Sequence, residues 1–115
     1  MELPDTKSAP SAARAFVRAH LAERAGSDTA DAVGLCVSEL VTNAVDHAQP
    51  PFRLRIGSRG PFVRIELDDA TVEAPVVLAP SLSRERGRGM LIVNRLARSW
   101  GIESLPAGKT VWAEF

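Results

Sequence analysis

The sequence predicts a two-layer α/β (α+β) sandwich, in which a mixed, mostly antiparallel sheet carries helices on one face. Three observations support this fold class. Apolar residues recur at helical spacing in two segments before the proline pair Pro50-Pro51. After the prolines the spacing changes to two, which is typical of strands with one buried face. A third helical segment and a second strand pair complete the chain.

The composition predicts a small cytoplasmic protein. The chain has 115 residues, and we expect residues 1–115 to form a single domain. Fourteen basic residues balance fourteen acidic ones, so no global field favours nucleic acid or an anionic membrane. The single cysteine, Cys36, is expected to be a small buried residue in a reducing compartment. No apolar run approaches the ~20 residues that span a bilayer.

The first elements are an edge strand and a helix. Residues 1–10 are few and polar, and they are expected to supply at most a short edge strand and a lead-in. Ser11 is a suitable N-cap for a first helix that runs to about Arg24, with Gly26 as its stop.

A second helix is predicted from a cap at Ser27 or Asp28 to the proline pair, which cannot continue it. Glu39, Asn43 and His47 are four residues apart and form one row along the edge of the apolar stripe of this helix. A carboxylate, an amide and an imidazole would then line a cleft beside the core. The same row is also typical of an ordinary polar helix border.

Alternating apolar residues predict an antiparallel hairpin after the prolines, with a turn at residues 58–61. Its buried face is formed by Phe52, Leu54, Ile56, Val63, Ile65 and Leu67. The same alternation places Asp69 on the buried side, whereas Asp68 points to solvent. A carboxylate on the buried side is costly unless it is paired, so Asp69 is a candidate functional residue.

The second half of the chain begins with a loop. Residues 70–85 carry no strong pattern and are interpreted mostly as loop, with a short strand or turn at residues 76–78 as an alternative. A third helix is predicted from Met90 to about Ser99, and Gly101 ends it. The last hairpin consists of strands at residues 102–105 and 109–115, with a turn at residues 106–108.

The segment Arg86-Gly87-Arg88-Gly89 directly precedes the predicted third helix. It does not complete a dinucleotide-binding fingerprint, because Ile92 occupies the third glycine position. Glycines before a helix nevertheless let the backbone approach an anion, and the helix dipole favours phosphate there. A plain loop-to-helix junction is an equal alternative. The arginines also fit a solvated basic edge or a small nucleic-acid patch.

Four segments in order resemble the N, G1, G2 and final boxes of the GHKL ATP-binding family, whose domain has the Bergerat fold. They are Ser38-Glu39-Leu40-Val41-Thr42-Asn43-Ala44 with His47, the strand ending in Asp69, Gly87-Arg88-Gly89-Met90, and Gly108-Lys109-Thr110-Val111-Trp112. The closest resemblance is to small anti-sigma-factor serine kinases, which are abundant in actinobacteria. It runs from the first helix to the last residue.

The resemblance implies roles for the matched residues. Asn43 would coordinate the Mg²⁺ that bridges the phosphates of ATP, and Glu39 would be the catalytic base. Asp69 would accept a hydrogen bond from the adenine amino group. Thr110, on the last strand, would support Asp69 and the adenine. The remaining residues near the phosphates would be Gly87, Gly89 and Met90 through their backbone N–H groups, with Arg88 and His47 nearby. Whether His47 touches nucleotide or only packs stays open.

As a function, the resemblance implies an ATP- and Mg²⁺-dependent protein serine kinase. It would phosphorylate a small anti-sigma-factor antagonist and sequester a sigma factor, thereby regulating transcription, and a homodimer is compatible with this role. No direct contact with nucleic acid or a membrane is implied. Arg14 matches a family arginine near the partner and nucleotide surface, or is an exposed helix charge.

A non-catalytic partner-binding module that has kept the fold is the alternative function. It is favoured by Ala70-Thr71, which follow Asp69 where the family commonly has glycines, and by the short first strand. An ATPase that only hydrolyses is a third interpretation, although these 115 residues show no transducer domain.

Overall fold

The computed structural model describes residues 1–22, 25–72 and 84–115, with only the backbone for residues 84–89. The helices are α1 (Ala9–Leu21), α2 (Ser27–His47) and α3 (Arg84–Leu96). The strands are β1 (Glu2–Leu3), β2 (Phe52–Arg59), β3 (Phe62–Asp69), β4 (Ser99–Leu105) and β5 (Gly108–Glu114).

The described strands form one sheet in the order β1-β2-β3-β5-β4, and neighbouring strands are antiparallel throughout. On the helical layer, α2 contacts both α1 and α3. The predicted fold class is therefore confirmed. Two of the neighbouring strand pairs, β2–β3 and β4–β5, are hairpins joined by short turns.

The core lies between α2 and the inner face of the sheet. The side chains of Phe52, Leu54 and Ile65 are completely buried, as are those of Val37 and Val41 on α2. These positions follow the two spacings in the sequence, because a helix stripe repeats about every 3.6 residues and a strand face every second residue. Cys36 is also buried. Its thiol has a pKa raised to about 11, mainly by this burial and to a smaller extent by the negative charge of Glu39.

The starts of α1 and α2 differ from the prediction. The first helix begins at Ala9 with Ser8 at the N-cap position, three residues before the predicted cap at Ser11. Pro10 explains the difference, because its fixed φ and missing N–H suit the first turn of a helix. Ser27 is the first residue of α2, and Gly26 occupies its N-cap. The predicted end near Arg24 and the alternative strand at residues 76–78 lie outside the described residues.

The predicted helical end at Ser99 is wrong. The third helix ends at Leu96, and Ser99 already begins β4. Gly101 belongs to this strand and does not end a helix. A Cβ at Gly101 would lie 2.9 Å from the indole ring of Trp112 on the neighbouring strand, so a side chain here would displace that ring.

The outer face of the sheet buries one carboxylate. Glu114 is 4% exposed and accepts hydrogen bonds from Arg64 at 2.8 Å and from Arg59 and Arg98 at 3.3 Å each. The guanidinium of Arg64 also lies over the ring of Trp112, 4.4 Å from its centroid. The hydrogen bond from Arg64 holds the pKa of Glu114 below its ordinary value, although burial acts in the opposite direction.

Glu114→Gln is expected to lower the melting temperature (Tm) at pH 7 by several degrees, because the arginines would lose their counter-charge. A carboxylate whose pKa is lower in the folded state stabilises that state above its unfolded pKa, and the contribution disappears as the pH falls through the folded pKa. Thermal unfolding between pH 7 and pH 3 should therefore show the two Tm values converging in acid. Glu103→Gln, at an exposed position on β4, is the control. A constant difference at every pH would contradict the expectation.

In the described parts of the chain, no helix is both long enough and apolar enough to cross a membrane.

Candidate functional site

The predicted polar row lies along α2 as expected. Glu39 and Asn43 are half-buried at the border of the core, and His47 is exposed in the last turn. Ser38, next to Glu39, is 9% exposed, and its hydroxyl donates to the Gly34 carbonyl at 3.0 Å. The hydroxyl of Thr42 likewise bonds back to the helix. The carboxylate and the amide of the row therefore lie where the helix leaves the core.

Two hydrogen bonds join the end of α2 to the end of β3. The backbone N–H of Ala70 donates to the Gln49 carbonyl at 2.9 Å, and the N–H of Gln49 donates to the Thr71 hydroxyl at 3.0 Å. The chain after the helix is thereby tied to the chain after the strand. This connection brings the C-terminal part of the polar row to the sheet end that carries Asp69.

Asp69 is a buried carboxylate with a hydrogen-bond partner at each oxygen. Its side chain is 2% exposed, Oδ1 accepts a hydrogen bond from the Thr71 N–H at 2.8 Å, and Oδ2 accepts one from the Lys109 ammonium. The sequence predicts both the burial and the need for a partner. It does not identify the partner, which is the second residue of the neighbouring strand β5.

The structure corrects the expected contact of Thr110 with Asp69. Thr110 lies opposite Asp68 in the β3–β5 ladder, and its hydroxyl donates to Asp68 at 2.7 Å. Successive side chains point to opposite faces of a strand, so Thr110 is on the outer face, away from Asp69. Lys109 occupies the place opposite Asp69 that was expected for Thr110. The alternation of Val111 and Ala113, which also lie on the inner face, is a sequence signal that places Lys109 and not Thr110 on that face.

The G2 segment also differs from the expectation. Because α3 begins by Arg84, Gly87 and Gly89 lie inside the helix and not in a loop before it. Only the first four N–H groups of a helix lack an internal partner, so those of Gly89 and Met90 fall beyond this set. Gly87 remains within the first turn. The side chain of Arg88 lies outside the described residues.

Arg14 is exposed on α1, in agreement with either of its two interpretations. Its side chain passes over Gly34 of α2, where a Cβ would lie 3.5 Å from Arg14 Cγ. Arg18, one turn later, forms an exposed ion pair with Asp31 at 3.8 Å, which contributes little to stability.

The available oxygen donors are compatible with Mg²⁺ shared with a nucleotide. Within the described ranges, no group of three or more His, Cys, Asp or Glu side chains is placed to hold a metal ion. Mg²⁺ usually takes one or two protein oxygens together with phosphates and water, so the amide oxygen of Asn43 is a suitable ligand of this kind. When bound, the metal would neutralise phosphate charge.

A separate cavity of about 220 Å³ lies between the end of α1 and the β2–β3 turn. His20, Phe62 and Val63 are among its lining residues. It is at the opposite end of β3 from Asp69, and none of the predicted site residues lines it. We therefore place the candidate site at the Asp69 end.

Comparison with known proteins identifies the family. Residues 3–115 match the family described as histidine kinase-like ATPase domain. The histidine kinase domain from the Erythrobacter litoralis EL346 blue-light activated histidine kinase has a similar structure, with a TM-score of 0.63 and 20% identity over 94% of this chain and 59% of that one. A second structure of the Erythrobacter litoralis EL346 blue-light activated histidine kinase gives 0.64 and 21% over 91% and 39%. No curated protein matches the sequence.

This chain thus spans 59% and 39% of those two structures, and at these identities the likeness concerns the fold alone. The sheet with its helical layer is consistent with the GHKL ATPase fold. Together with a match over residues 3–115, these findings show that the chain belongs to the histidine kinase-like ATPase domain family, a membership that supports an ATP-binding regulator of the GHKL type.

Proposed function

We propose that this protein binds ATP·Mg²⁺ beside α2 and transfers the γ-phosphate to a serine of a small protein antagonist. The observation that carries the proposal is Asp69, a 2% exposed carboxylate at the open end of a buried strand face, tied to the end of the helix that bears Glu39 and Asn43. A buried carboxylate in this position is suited to accept a hydrogen bond from a base amino group.

In this proposal, Glu39 and Asn43 act at the phosphate end of the nucleotide. The Glu39 carboxylate takes the proton of the serine hydroxyl while the serine oxygen forms a bond to the γ-phosphorus. The bond from the γ-phosphorus to the bridging oxygen breaks, and ADP leaves. Asn43 supplies an amide oxygen to Mg²⁺. Gly87, in the first turn of α3, offers a backbone N–H to the phosphates.

The proposed partners are a sigma factor and its anti-sigma-factor antagonist. The protein would hold the sigma factor once the antagonist is phosphorylated, and transcription would be regulated in the cytoplasm. The resemblance of the four sequence segments supports this assignment, and membership in the histidine kinase-like ATPase domain family supports its ATP-binding part.

The nucleotide site is tested by melting temperature with and without ATP·Mg²⁺. Ligand at ~100 times its Kd stabilises the folded state by about 2.7 kcal/mol, so wild type is expected to gain on the order of ten degrees. Asn43→Ala should lose the Mg²⁺-dependent part of this gain, because it removes the proposed metal ligand. Thr42→Ala, at an exposed neighbour on the same helix, should keep it.

If wild type shows no shift at millimolar ATP, the nucleotide site is refuted. The partner-binding module is then the remaining function. One observation favours this second candidate: Oδ2 of Asp69 already accepts a hydrogen bond from Lys109.

A further inference from the structure

The ion pair between Lys109 and Asp69 brings two opposite hydrogen-bonding groups together at the base end of the proposed site. The two residues face each other across the β3–β5 ladder. Alternation places both on the inner face of the sheet, with Leu67 and Val111. The side chains of Lys109 and Asp69 are 22% and 2% exposed, so the ammonium is partly accessible to solvent while the carboxylate is buried.

The pair retains hydrogen-bonding capacity for a ligand. Each carboxylate oxygen can accept about two hydrogen bonds, and among the residues that the structure describes, Thr71 donates to one oxygen of Asp69 and Lys109 to the other. The ammonium has three N–H groups, of which Asp69 takes one. A ligand at this end would therefore meet an acceptor and a donor side by side.

We propose that Lys109 is a specificity residue that reads the purine together with Asp69. This inference rests on the proposed function. An adenine would donate from its 6-amino group to Asp69 and accept at N1 from Lys109. A 6-oxopurine presents acceptor and donor in the opposite order, so the ammonium of Lys109, on its flexible stem, would move to donate to O6 while N1–H donates to Asp69. The pair therefore matches both classes of purine, whereas Asp69 alone would repel the oxygen of a 6-oxopurine.

A purely structural ion pair would behave differently. It would neutralise the buried charge of Asp69 and affect both nucleotides equally. The ratio of the two affinities separates these roles, because a general loss of stability or of site order cancels in it.

The experiment is calorimetric titration of the full chain with ATP·Mg²⁺ and with ITP·Mg²⁺, the 6-oxopurine analogue. Wild type should bind both with Kd values within about tenfold of each other. Lys109→Met should raise the ratio of Kd for ITP to Kd for ATP by about tenfold or more, as expected when a charge-assisted hydrogen bond is lost. Lys7→Met removes the other lysine of the chain and should leave the ratio unchanged.

Lys109→Thr serves if Lys109→Met does not fold, because its hydroxyl can still donate to Asp69. It should raise the ratio in the same direction, and Lys109→Arg, which keeps the charge and the donors, should restore it. An unchanged ratio in a folded Lys109 variant that binds ATP would overturn this inference alone. Failure of wild type to bind either nucleotide would overturn both the proposed function and the inference.

Discussion

Gly108→Ala is expected to destabilise the protein strongly and to abolish nucleotide binding. An added Cβ would overlap the carbonyl oxygen of Asp69 and lie 3.0 Å from its carbonyl carbon and 3.1 Å from Ala70 Cα. These are all backbone atoms, so no side-chain rotation can relieve the overlap. Overpacking of this kind costs about 3 kcal/mol. The end of β3 that carries Asp69 must therefore move.

Thermal unfolding and calorimetric titration with ATP·Mg²⁺ measure the two effects. The Tm should fall by on the order of ten degrees for a domain of this size. Gly57→Ala is the matched control, because it adds the same methyl to β2 with no atom within 4 Å. Similar Tm values and equal ATP affinity for the two variants would show that the end of β3 is not packed as described.

Glu39→Gln is expected to abolish phosphoryl transfer while leaving ATP bound. The amide has nearly the shape of the carboxylate but cannot take the serine proton, and loss of a catalytic base typically reduces the rate by about 10²- to 10⁴-fold. The measurement is transfer of labelled γ-phosphate from ATP to a candidate antagonist, with ATP affinity determined in parallel.

Asp46→Asn is the control for this variant, since it removes an exposed carboxylate from the same helix. Its rate should equal that of wild type. Transfer at the wild-type rate by Glu39→Gln would refute the assignment of the base. If wild type binds ATP but labels no antagonist, the non-catalytic binding module is supported instead.

Much of the fold is predictable because its determinants are local. The polar row Glu39, Asn43 and His47 follows from the turn of one helix, and the burial of Asp69 follows from the alternation of one strand. The proline pair ends the preceding helix because proline lacks a backbone N–H and its ring clashes with the preceding helical turn. In each case, residues a few positions apart are sufficient for the prediction.

The beginning and end of α3 are less predictable. Glycines at positions 87 and 89 indicate a loop by their intrinsic preference, yet the backbone there is helical. The helix also ends before Ser99, which pairs with Glu114 in the sheet. At the C-terminal end of this element, pairing in the sheet therefore overrides the local helical pattern.

The sequence by itself determined the fold class, the core faces and the burial of the Asp69 carboxylate, because each depends on a repeating local pattern. Only the tertiary structure decided which side chain meets that carboxylate. Alternation assigns Lys109, Val111 and Ala113 to one face of β5, but which of them meets Asp69 depends on the register between β3 and β5. That register joins residues 40 positions apart, so it is established by packing of the whole sheet and not by any local segment.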